Sequence, residues 1–127
     1  MHEQDFAIVK ALVSVAWADG VYADREREMI AALLEAYGAD AAEKKAVEEY
    51  AAQRRTLDDV DPQDLSAADR RTLLQHAVLL AYADGDFSSE EAEHLAALSA
   101  KLRIPEDESK ALFQASAERA KKALHLL

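Results

Sequence analysis

Residues 16–26 read Ala16-Trp17-Ala18-Asp19-Gly20-Val21-Tyr22-Ala23-Asp24-Arg25-Glu26, and residues 81–91 read Ala81-Tyr82-Ala83-Asp84-Gly85-Asp86-Phe87-Ser88-Ser89-Glu90-Glu91. The two stretches lie 65 positions apart and share the pattern A-x-A-D-G-x-aromatic-x-x-x-E. The same offset places Ala31-Ala32-Leu33 on Ala96-Ala97-Leu98, and Glu43 and Ala46 on Glu108 and Ala111. A repeat at fixed offset means one supersecondary unit used twice. Ala and Leu dominate the flanks, both strong helix formers, and each Asp-Gly falls where an apolar run stops. Glycine there supplies the left-handed residue that ends a helix cheaply. The unit is therefore a helix, an Asp-Gly turn and a second helix.

Working outward, helices are expected over about 5–19, 24–37, 41–55, 66–84, 88–102 and 105–127. Gly38 closes the second. Pro62 lacks an N–H and pushes Asp61 out of helical geometry, so residues 57–62 read as a loop. Ser66 is an N-cap for the fourth helix. Pro105, followed by Glu106, Asp107 and Glu108, suits the first turn of the last. The expectation is an all-α compact bundle of about six or seven helices. It forms a single domain over 1–127, with repeat halves of about 5–55 and 66–127 and the two apolar helices central.

Composition narrows the function. The chain has 127 residues, three glycines, two prolines and no cysteine. So few turn residues argue against an all-β fold. Without cysteine there is no disulfide, thiolate zinc site or thiol redox chemistry. The formal charge of −10 repels phosphate backbones, so no nucleic acid is expected as a partner. The basic pairs Lys44-Lys45, Arg54-Arg55, Arg70-Arg71 and Lys121-Lys122 sit among acids and read as solvated helix faces. The apolar run at 77–83 is too short to cross a bilayer, which takes about 20 residues. Acids ahead of the first apolar helix give the wrong charge order for a signal peptide. A soluble, cytoplasmic protein without membrane insertion is expected.

The carboxylates at the turns carry the chemistry. Ile8, Leu12, Val15 and Asp19 share one helix face by spacing, as do Leu73, Ala77, Leu80 and Asp84. Glu26, Ile30, Leu33 and Tyr37 share the next, matched by Glu91, Leu95, Leu98 and Leu102. Each unit thus puts an Asp at the end of one apolar stripe and a Glu at the start of another. Ser88-x-x-Glu91 is a capping box. In the first copy the cap position is Ala23, which has no side-chain acceptor, yet Glu26 persists. Asp19 and Asp84 sit at helix C-termini, where the macrodipole disfavours an anion by ~0.3–1 kcal/mol. They call for a partner: turn N–H groups, a basic side chain, or a cation. An EF-hand is rejected, because its first and third ligand positions would be Val15 and Trp17, or Leu80 and Tyr82. Only a site assembled between loops or between copies remains. No nucleophile–base pair, phosphate loop or H-E-x-x-H motif is present, so the chain does not read as an enzyme. Glu90 and His94 could share a metal on one helix, but His94 aligns with Met29. His76, in the apolar fourth helix, reads as a core or boundary histidine.

These paired motifs resemble those of the tellurite-resistance TerB-like family, over roughly residues 6–112. The resemblance implies an all-α fold, a link to tellurite resistance or related bacterial stress responses, and acids that bind a divalent cation. Carried onto this sequence, those metal-site acids are Asp19, Glu26, Asp84 and Glu91. Oxygen-only donors favour calcium or magnesium over zinc. The expected function is a non-catalytic stress-response module that binds a divalent cation and a protein partner. The alternative is a purely structural protein-interaction domain in which the acids cap and solvate the turns. Direct handling of tellurite by the chain is disfavoured, since tellurite is an anion and no thiol is present.

Overall fold

The computed structural model describes residues 3–17, 24–82 and 89–125. Six α-helices follow in order: α1 Glu3–Ala16, α2 Asp24–Ala36, α3 Ala41–Ala51, α4 Ala67–Tyr82, α5 Ser89–Lys101 and α6 Glu106–His125. Two short 3-10 turns, Leu57–Asp59 and Pro62–Asp64, lie between α3 and α4. No strand occurs among the described residues.

α1 and α4 form the centre. α1 buries Ile8, Val9, Ala11, Leu12, Val13, Ser14 and Ala16, which is most of its circumference. α4 buries Leu73, Leu74, Ala77, Val78 and Leu80. A helix apolar all round belongs inside a core. α2 is different: it buries only Ile30 and Leu34 and covers the core as an amphipathic lid. α1 packs on α4, on α2 and on α3; α4 packs on α1, on α5 and on α6. Leu98 and Leu102 complete the centre. Burying each such side chain contributes about 1.5–3 kcal/mol.

Helix ends follow local chemistry. α2 stops at Gly38, whose φ is 73°. The N–H of Gly38 bonds Glu35 O and that of Ala39 bonds Leu34 O, both at 3.0 Å. α5 ends in the same way at Arg103, φ 58°. There the Arg103 N–H bonds Ala100 O at 3.1 Å and the Ile104 N–H bonds Ser99 O at 3.2 Å. Both ends satisfy helix carbonyls that would otherwise lack donors. From Asp24 to Ser89, and from Ala36 to Lys101, is 65 residues in each case, so α2 and α5 keep the offset of the sequence repeat.

Two expectations need correction. α3 ends at Ala51, not near Arg55. The Trp17 indole N–H takes the Ala51 carbonyl at 3.0 Å, and the Arg55 guanidinium folds back to bond Tyr50 O at 3.0 Å. The stretch expected as plain loop holds two 3-10 turns, each started by a side-chain cap. Thr56 Oγ1 accepts from the Asp58 N–H at 3.3 Å, and Asp61 Oδ1 accepts from the Gln63 N–H at 2.9 Å.

Candidate functional site

Glu26 is the third residue of α2, as Glu91 is of α5. Both therefore stand in a first helical turn, where the dipole favours an anion. Glu26 is half-buried, one turn ahead of buried Ile30. Asp19, Asp84, Ser88 and the side chain of Glu91 lie outside the described residues, and with them the capping box expected at the start of α5. The approach to the first turn is described. Trp17 is half-buried, and its bond to Ala51 O pins the end of α1 to the end of α3. Among the described residues, no three His, Cys, Asp or Glu side chains converge closely enough to hold a metal.

Other acids of the chain serve as caps. The Asp40 N–H donates to Glu43 Oε1 at 3.0 Å, and the Glu43 N–H donates to Asp40 Oδ1 at 2.8 Å, a reciprocal capping box. Asp59 Oδ2 accepts the Thr56 N–H at 2.8 Å. Ser66 caps α4 as expected, accepting the Asp69 N–H at 3.1 Å.

The basic pairs are not uniformly solvated faces. Arg70 donates to the carbonyls of Pro62, Leu65 and Leu102, tying the interhelical segment and the end of α5 to α4. Arg71 grips Glu108 of α6 with both sides of its fork, one contact being 2.8 Å. Hydrogen bonding to Arg71 holds the Glu108 carboxyl below its ordinary range. Arg55 stacks on Tyr50, 3.8 Å from the ring centre. Planar, delocalised guanidinium suits such stacked and forked contacts where lysine does not.

A polar group that the sequence does not advertise lies between α2 and α4. Tyr37 Oη is 3.4 Å from His76 Nε2. His76 is half-buried, as expected of a boundary histidine, and burial lowers its pKa. Burial raises the pKa of Tyr37, helped by the negative charges of Asp5 and Asp69. Asp69 Oδ2 is buried without a hydrogen-bond partner. The two residues stand 39 positions apart, so only the fold brings them together.

Among the clefts formed by the described residues, two flank the core. One, of about 310 Å³, runs between α2 and α3 and is lined by Arg27, Ile30, Leu34, Val47 and Glu48 among others. The other, of about 440 Å³, runs between α5 and α6 past Leu95, Ser99, Ile104 and Phe113. Neither lining includes a histidine.

Against known proteins, the family model for the tellurite resistance protein TerB matches residues 6–114. No curated protein and no solved structure matches the chain.

Proposed function

The chain belongs to the TerB tellurite-resistance family, and from that premise we propose that it works as a non-catalytic stress-response module that binds a divalent cation at its acidic turns and a protein partner on its surface. The observation that carries the cation is the double placement of an Asp-Gly turn followed by Glu, with Glu26 and Glu91 each third in its helix. Asp19, Glu26, Asp84 and Glu91 are the proposed ligands. Their donors are all carboxylate oxygens, which suit calcium or magnesium. Zinc would want a nitrogen donor as well. Glu26, half-buried in a favourable helix turn, fits such a set.

The partner follows from charge. At −10 the surface steers toward proteins with basic patches and away from nucleic acid. No helix among the described residues is long and apolar enough to cross a membrane.

A second reading keeps the interaction module without the metal. It is favoured by the caps at Asp40, Glu43, Asp59 and Asp61, because acids at the helix starts of this chain demonstrably serve turns. Calorimetric titration of the metal-stripped protein with calcium, then magnesium, tests the choice. Saturable, stoichiometric heat that Asp19→Asn with Asp84→Asn abolishes supports the cation module. Heat indistinguishable from dilution leaves the structural reading.

A further inference from the structure

We propose that the Tyr37–His76 contact is a pH-responsive latch that holds the end of α2 on α4 near neutral pH and releases it in mild acid. Tyr37 directly follows α2 and packs against the core. The tight turn at Gly38 and Ala39 fixes its backbone. Its hydroxyl reaches His76 Nε2 near the middle of α4. The offset of the repeat places Leu102 at the position of Tyr37 and Ala11 at that of His76. The pair therefore joins one half to the other, and the positions that correspond to it by the repeat, Leu102 and Ala11, carry no polar side chain.

The chemistry gives the direction. Neutral imidazole can accept the Tyr37 proton at Nε2 or donate from it. Imidazolium has no acceptor, so the first arrangement is lost, and a full charge stands in a half-buried place. Burial therefore works against protonation. Asp5 on α1 and Asp69 on α4 act on Tyr37, whereas for His76 burial is the cause of the lowered pKa, so its charged form is destabilised where it stands. On the other elements packed against α4, Glu108 of α6 pairs with Arg71, and Lys101 of α5 lies 4.0 Å from Asp58. Charged His76 can still donate from Nε2–H to Tyr37 Oη, but the half-buried charge gains most by turning toward water, and that turn takes the partner from Tyr37. α2 is then held by the buried Ile30 and Leu34, the half-buried Met29 and Leu33 and the exposed Glu35–Lys44 ion pair. An element with so few buried anchors opens at small cost. Because α2 forms one wall of the cleft of about 310 Å³, its release widens that cleft.

Amide exchange by NMR on the full chain, one pH unit above and below the ordinary histidine value of 6.5, tests the latch after correction for intrinsic rates. In wild type the protection of α2 should fall several-fold in acid while that of α6 holds. His76→Gln should abolish the fall, and His94→Gln should keep it. Tyr37→Phe, which keeps the ring in the core, should leave α2 weakly protected at both pH values. A wild type in which α2 and α6 lose protection together would overturn the latch. So would a fall that survives His76→Gln or one that survives Tyr37→Phe.

Discussion

Gly38 and Arg103 show how much one backbone angle decides. Both take positive φ after a helix, at 73° and 58°, a region that costs residues with a Cβ roughly 1–2 kcal/mol. A Cβ on Gly38 would meet nothing within 4 Å, so Gly38→Ala should destabilise through φ alone, by about 1 kcal/mol. Arg103→Gly should do the reverse and stabilise by about 0.5–1 kcal/mol, once the extra freedom of glycine in the unfolded chain is subtracted. Urea denaturation of the two variants checks both signs. Ser66→Ala removes the acceptor for the Asp69 N–H and should cost about 0.5–2 kcal/mol in the same assay. The end of α2 is readable from its glycine. The end of α5 is not, because an arginine occupies the left-handed position and nothing in its type announces that. The Tyr37–His76 pair is equally invisible in sequence, since neither periodicity nor a motif links residues on different helices.

Among the elements, the apolar runs at 6–18 and 77–83 identify α1 and α4 as central, because runs that apolar are best buried between other helices. The α3 boundary was less legible. Helix propensity carries on through Gln53 and Arg54, and tertiary contacts from Trp17 and Arg55 stop the helix at Ala51. The basic pairs mislead for a related reason. A pattern of charges records amphipathicity but not which arginine finds a carbonyl or a carboxylate across a helix interface. Arg71 and Glu108 join α4 to α6 in that way. Because the pairing lowers the Glu108 pKa below 4.5, its contribution is fully present above that value. It is lost as pH falls through the lowered one. Glu108→Gln should therefore flatten part of the acid limb of the stability profile below pH 4.5 and leave neutral stability less sensitive to salt. An acid limb unchanged in Glu108→Gln would show that the pair does not persist in solution.

At the scale of the whole molecule, charge and turn chemistry act together. A surface at −10 should show no appreciable affinity for duplex DNA at physiological salt, and salt-sensitive micromolar binding by fluorescence anisotropy would contradict that. The proposed cation would offset the repulsion among Asp19, Glu26, Asp84 and Glu91 that the cation module entails. The family and the helical class were legible from the repeat. The candidate ligands were legible only as residue types in a pattern 65 residues apart, since periodicity cannot say whether two turns converge, and Asp19 and Asp84 lie outside the described residues. The most direct measurement is thermal melting of the wild-type protein in EDTA, Ca²⁺, Mg²⁺ and Zn²⁺, repeated with Asp19→Asn plus Asp84→Asn. A cation that binds only the folded state stabilises it by about 2.7 kcal/mol at a hundred times its dissociation constant. For a domain of this size that is a rise of several degrees. Calcium or magnesium should raise the wild-type midpoint by that amount and leave the double variant unmoved. A wild-type midpoint that no cation shifts would contradict the cation module.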